Sequence, residues 1–257
     1  MNSLILIFKG FFIGIGKIIP GVSGSLIAIT LGVYDKLLEA IGRFYKKENI
    51  KFLIPLGVGI LSSIILTSNL LAYLLDNYYV ITILFFIGLI IGGTSITKAS
   101  FKGKNILCFL ISFLLVFSLC FVKSDVGIVK DYSFFIMILI GLVEAFTMVV
   151  PGISGTAVMM IIGCYATVLN MFSNPIGNLN LLIPFGIGTF IGVLVISRIL
   201  SLLLKKYNDK VNACILGFTV SSIFLLFIKV LEYNDNILIG LPLLIVGIFL
   251  GYITSKN

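Results

Sequence analysis

Two short stretches hold most of the residues able to do chemistry in this chain. Pro20-Gly21-Val22-Ser23-Gly24-Ser25 and Pro151-Gly152-Ile153-Ser154-Gly155-Thr156 each set a Pro-Gly break before hydroxyl side chains and a new apolar run. Pro suits the first turn of a helix, and Gly reaches dihedrals closed to other residues. A helix restarting after such a break has backbone N–H groups with no partner inside the helix. Those donors, the positive end of the helix dipole and the hydroxyls of Ser23, Ser25, Ser154 and Thr156 together suit a phosphate, with backbone offered at Gly21, Gly24, Gly152 and Gly155. One such motif alone would read as a helix break with small residues for close packing. Its duplication at equivalent positions favours ligand binding.

Ionisable residues inside apolar runs are the other candidates, because each is costly in hydrocarbon without a partner. Lys17, three residues before Pro20, either attracts the phosphate or pairs with Glu144. Glu144, seven residues before Pro151, either binds a coupling proton or Na⁺ or neutralises Lys17 or Arg198. Arg198 has the forked donor that fits a phosphate, yet near a segment end it can also snorkel toward the surface beside Lys205. Asp35 and Glu39, at helical spacing from Lys36 and Arg43, read as local ion pairs. The chain has no His, so the commonest general base and metal ligand is missing. Cys108, Cys120, Cys164 and Cys214 lie in apolar runs without ligand spacing and read as packing residues, with neither a disulfide framework nor a metal site. Gly14-Ile15-Gly16-Lys17 fails as a nucleotide loop, since Phe11 and Ile18 stand where the fingerprint needs Gly and Ser or Thr. No cofactor is expected.

The elements that position these groups must be membrane helices. Of 257 residues 60% are hydrophobic and 11% charged, against about 25% charged in a soluble domain, and mean hydropathy is +1.23. That excludes a soluble enzyme. The net charge of +8 does not indicate nucleic acid, because so apolar a chain has no polar face for a phosphate backbone and loop lysines follow membrane topology. Ten apolar segments can be marked, at 3–19, 22–42, 53–75, 79–97, 106–122, 133–150, 153–171, 182–204, 210–229 and 237–254, most long enough to cross about 30 Å of hydrocarbon. The first reads as a membrane segment rather than a removable signal. Segments one and two, and six and seven, meet at a Pro-Gly break with no polar loop, so each pair is expected to be a re-entrant hairpin, two spans joined by a tight turn being the alternative.

The breaks also expose a repeat. A shift of 131 residues lays Gly10 on Gly141, the first motif on the second, and Gly32 and Tyr34 on Gly163 and Tyr165. A shift of 129 lays Pro55, Gly57 and Gly59 on Pro184, Gly186 and Gly188, and Tyr78 on Tyr207. The expected organisation is an all-α membrane protein of two five-segment repeats, 1–124 and 125–257. Each unit crosses the membrane an odd number of times, which inverts the second relative to the first, as in transporters. One face collects the Lys and Arg of 43–51, 98–104 and 205–210 with Lys256; the other has Lys123, Lys130 and Lys229 beside five acids. By the positive-inside rule the first face, and both termini, are cytoplasmic.

At IIPGVSGSLIAITLGVYDKLLEAI (18–41) and VVPGISGTAVMMIIGCY (149–165) the sequence resembles the polyprenyl-phosphate transporter family, long catalogued as a domain of unknown function. The resemblance implies a carrier that returns undecaprenyl phosphate, the lipid carrier of envelope synthesis, from the outer to the inner leaflet of the bacterial cytoplasmic membrane without ATP hydrolysis. Its partners would be the polyprenyl phosphate lipid, the bilayer and a coupling proton or Na⁺. The family's first motif often reads PGVSGG with Asp or Asn three residues before the Pro, where this chain has Ser25 and Lys17. The tips are also similar to those of undecaprenyl-pyrophosphate phosphatases, the enzymatic alternative. Those use Arg, acids and commonly a His beside the motif, whereas here Gly24 and Gly155 follow the serines.

Overall fold

The computed structural model of the chain describes residues 2–18, 22–94, 103–121, 132–233 and 237–256. Among the described residues it is all-helical, as an apolar chain must be when its backbone polar groups have no water to bond. The order is α1 (Ser3–Ile18), α2 (Gly24–Thr30), α3 (Tyr34–Gly42), α4 (Lys47–Asn77), α5 (Tyr79–Thr94), α6 (Lys104–Phe117), α7 (Phe134–Val149), α8 (Gly155–Ile162), α9 (Tyr165–Ser173), α10 (Leu179–Lys206), α11 (Asn208–Glu232) and α12 (Ile237–Lys256), with a 3₁₀ turn at Ser118–Phe121 after α6. Four helical stretches are long and apolar enough to cross a membrane: Lys47–Thr67, Leu179–Lys206, Asn208–Glu232 and Ile237–Thr254.

The apolar runs 22–42 and 153–171, expected as single segments, are each two short helices. Gly32 (φ +65°) and Gly163 (φ +74°) end α2 and α8 in the left-handed region, where a side chain would be strained. The same pair of bonds closes both ends: Val33 N to Ala28 O and Gly32 N to Ile29 O in one, Cys164 N to Met159 O and Gly163 N to Met160 O in the other. This is the Schellman arrangement, which satisfies carbonyls a helix end would leave open.

Packing pairs the helices in two ways. α1 lies on α4 and α7 on α10, whereas α5 pairs with α12 and α6 with α11, so the front and rear of the chain interlock. Glycines make the first two seams close. A Cβ on Gly10 would strike the Leu56 backbone and one on Gly59 the Ile7 backbone; Gly141 and Gly188 meet Phe185 and Ile138 in the same way. Where lipid is as apolar as a side chain, such close approach supplies the contact that water would otherwise drive. The largest buried cluster draws on α1–α5 with Val149, Leu204, Ile215, Leu226 and Val230, and a second gathers Met137, Met159, Met171 and Phe185 of α7–α10. Inside α1 the buried Lys9 donates to the Leu31 carbonyl just past the end of α2 at 2.8 Å. Cys108, Cys164 and Cys214 are free thiols; Cys120 lies outside the residues whose side chains are described.

Candidate functional site

The first tip begins where α1 ends. Gly21 lies outside the described residues, and the chain resumes at Val22. Ser23 takes the N-cap position of α2 with extended backbone (φ −97°, ψ 133°) and makes no side-chain cap bond. Its Oγ lies instead 2.6 Å from Ser25 Oγ. Two hydroxyls sharing one hydrogen bond keep one O–H to donate elsewhere. Behind them α2 is only seven residues long, so few peptide dipoles sum there. Gly24 faces α1 closely: a Cβ would stand 3.3 Å from Ile13 O and 3.8 Å from Lys17 Cβ.

The second tip is built on Gly152, whose φ of +83° and tight fit against Phe218, 2.7 Å from a would-be Cβ to backbone, together require glycine. Ser222 of α11 donates to the Gly152 carbonyl and fixes the turn from behind. Ser154 starts α8 by accepting from Val158 N; the Thr156 side chain lies outside the described residues. Glu144, one helix earlier, lays its carboxylate over the beginning of α8. A Cβ on Gly155 would be 2.7 Å from Glu144 Oε2 and from Thr147 Oγ1; Thr147 Oγ1 donates to the Glu144 backbone carbonyl at 2.8 Å and lies 3.3 Å from Oε2.

The two tips meet. Lys17 Nζ stands 3.5 Å from Glu144 Oε1, with the ammonium side chain 42% exposed and the carboxylate 19%. Tyr34, buried at the head of α3, donates to Val149 O at 2.9 Å, tying the first break–helix unit to the last carbonyl of α7. The Lys17–Glu144 pair thus joins the end of α1 to the helix before the Gly152 turn, with the paired Ser23 and Ser25 hydroxyls at the start of α2.

Arg198 is held elsewhere. It lies on the exposed face of α10, with Gly42 at the end of α3 packed on its backbone, and lines a small pocket with Glu39, Arg43 and Lys205. Beside it a charged cleft of about 630 Å³ opens between α3, the start of α4 and the end of α10. Glu39 bridges it, accepting from Lys205 Nζ at 2.8 Å and standing 3.7 Å from Arg43 Nη1. The hydrogen bond from Lys205 holds the Glu39 carboxyl below its usual range, against a smaller opposing effect of burial.

Tyr34, Thr147 and Ser222 are the contributors that sequence reasoning passed over. In the sequence Tyr34 stands out only as a landmark of the repeat. Thr147, three residues beyond Glu144, is the one with a readable signal, since a hydroxyl at that spacing shares the carboxylate's helix face.

A family model described as undecaprenyl phosphate translocase-like matches residues 13–239. A protein named polyprenyl-phosphate transporter from Vibrio cholerae serotype O1 is 29% identical over 242 residues, covering 87% of this chain and 77% of its own. One of the same name from Staphylococcus aureus is 29% identical over 274 residues, covering 98% and 97%. No solved structure matches the chain.

Proposed function

The chain belongs to the undecaprenyl phosphate translocase-like family, and from that premise we propose that it is a multi-pass membrane carrier returning polyprenyl phosphate from the outer to the inner leaflet of the bacterial cytoplasmic membrane. The reading takes residues 1–124 and 125–257 as inverted repeats, each opening with a re-entrant hairpin, and the lysine-rich face with both termini as cytoplasmic. Duplicated glycine seams and duplicated Schellman ends support the repeat. The observation that carries the function is the Lys17–Glu144 pair at the meeting of the two tips.

An empty carrier must neutralise an ammonium placed at membrane depth, since a buried charge without a partner costs several kcal/mol. Glu144 does so, and its carboxylate covers the start of α8, where a phosphate would reach the second tip. An arriving phosphate monoester takes Lys17 as its counter-charge and bonds Ser23 and Ser25 with the backbone at Gly21 and Gly24, and Ser154 and Thr156 with the backbone at Gly152 and Gly155. Glu144, displaced, takes up a proton or Na⁺, and that uptake couples head-group movement to an ion gradient. Arg198 serves the head group at the charged cleft, on the way to the cytoplasmic surface.

Reconstitution in liposomes with labelled polyprenyl phosphate and pyrophosphate, scoring both flipping and phosphate release, tests the function. Flipping without release is expected; release of phosphate from the pyrophosphate would establish the enzymatic alternative. Glu144→Gln should leave head-group binding intact or tighter while abolishing the dependence of flipping on pH or Na⁺. A mutant that follows the gradient like the parent would remove Glu144 from coupling.

A further inference from the structure

The repeat offsets, laid over the packing, expose an unequal pair of surfaces. α3 is seated along α10. A Cβ on Gly42 would come 3.0 Å from Arg198 Cα, Leu38 and Leu202 line one pocket, and Glu39 accepts from Lys205 at 2.8 Å. Shifts of 131 and 129 residues carry these pairs onto Ser173 with Asn69, Leu169 with Tyr73, and Asn170 with Asp76. Tyr73 and Asp76, three residues apart, share one face of α4; the Asn69 side chain lies outside the described residues. Among the described residues, however, α9 makes no comparable contact with α4; its neighbours are α8 and α10. Leu169 is 51% and Tyr73 55% exposed, against 2% for Leu38.

We infer that this face of α4 is a second docking surface whose occupant is α9 of the same chain, and that the protein alternates between α3 seated on α10 and α9 seated on α4. The inference rests on the inverted-repeat reading above: only with inverted repeats do the two seatings lie at opposite ends of the molecule, so that each closes the Lys17–Glu144 site to one side. The seating present here then closes the lysine-rich, cytoplasmic side.

The side chains also set a bias. The α3 seat has a charged hydrogen bond and a glycine that admits the Arg198 backbone, whereas the α9 seat would have an amide facing a carboxylate and Ser173 in place of that glycine. Both bonds have a charged partner, but the α3 seat pairs opposite charges and its Gly42 leaves room for the Arg198 backbone, so the empty protein favours the α3 seat. A ligand shifts such an equilibrium only by binding the two forms unequally.

Cysteine pairs test the exchange in liposomes, in a variant whose four native cysteines are replaced by Ala. Asn170→Cys with Asp76→Cys should cross-link through a short bifunctional thiol reagent, in lower yield than Glu39→Cys with Lys205→Cys. Adding Gly42→Val, which obstructs the α3 seat, should raise the 76–170 yield several-fold. Hydrogen exchange on the otherwise native chain gives a second reading, with Glu39→Gln deprotecting α3 and protecting α9. A 76–170 yield no higher than that of a distant cysteine pair, together with α9 exchange indifferent to Glu39→Gln, would overturn the inference. A carrier that flips lipid without this contact sinks the exchange and leaves the transport reading standing. A 76–170 contact in a protein that flips no polyprenyl phosphate does the reverse.

Discussion

The units α2–α3 and α8–α9 follow the same Pro-Gly sequence and have the same cap bonds and nearly the same length, and opposite surroundings. Every residue of α2 except Ile29 is buried, whereas α8 ends in Ile161 and Ile162 at 37% and 49% exposure. The cause lies in the helices they rest on. Gly93 of α5 leaves room for Thr30, which a Cβ there would strike. The counterpart of Gly93 is Ser222, whose hydroxyl is spent on the Gly152 carbonyl. Where the front of the molecule uses a small residue to admit a helix, the rear uses a hydroxyl to hold a turn. Duplicated sequence thus reproduces local structure and seams, while a few interface positions decide whether a unit docks.

The widest effect is expected where the unlike units should act alike. If both tips share one phosphate, replacing Ser23 and Ser154 together by Ala removes two hydrogen bonds to a charged group, each worth about 1.5 to 3 kcal/mol. Head-group affinity, measured with a soluble short-chain polyprenyl phosphate, should fall roughly tenfold or more per serine. Unchanged affinity in a folded double mutant would separate the tips from the ligand.

Packing should respond unequally. Ile27 is 1% exposed and fills the space beside Gly16, so Ile27→Ala should cost about 2 to 5 kcal/mol as an unrelieved cavity. Its counterpart Val158 is only partly buried, and Val158→Ala should cost about 1 kcal/mol. Apparent melting temperatures in one detergent would compare them, and equal losses would break the contrast drawn above. Tyr34→Phe sharpens the same contrast at one bond. It leaves the Val149 carbonyl without its donor, an expected loss of about 1 to 3 kcal/mol, visible as faster hydrogen exchange at the start of α3.

The sequence was legible where it repeats. The two registers located the breaks, and a cation before one break and a carboxylate before the other are within reach of each other once the breaks meet, as the 3.5 Å separation of Lys17 and Glu144 illustrates. The division of 22–42 and 153–171 into two helices each was not read, because Gly32 and Gly163 sit inside unbroken apolar runs, where glycine signals close packing as readily as a helix end. The unequal docking was also out of reach. Gly93 and Ser222 differ by one small side chain, and its consequence depends on which helix approaches, a property of tertiary contact rather than of spacing. Arg198 shows the same limit: its type suits phosphate, but the seating of α3 through Gly42 places it at the charged cleft.

The smallest effect expected is at the bridge of that cleft, where pH should loosen the docked unit alone. Glu39 and Lys205 are 40% and 55% exposed at their side chains, so their bond is a surface pair worth about 0.2 to 1 kcal/mol and weakened by salt. Because Lys205 holds the Glu39 carboxyl below its usual value, the folded form binds the proton less readily than the unfolded one. The contribution is therefore fully present above the ordinary carboxylate value and fades as pH falls through the lowered one. Acidification through that window should speed hydrogen exchange in α3 while leaving α9 nearly unchanged, since Asn170 stands where α3 has Glu39. Glu39→Gln should remove the part of the α3 response that comes through the bridge, leaving only that of Asp35, which burial raises above its usual value, and high salt should mimic part of the acid effect in the parent. A parent whose α3 and α9 respond to acid equally would show that the bridge does not hold the docked unit, leaving Gly42 and Leu38 to account for its seating.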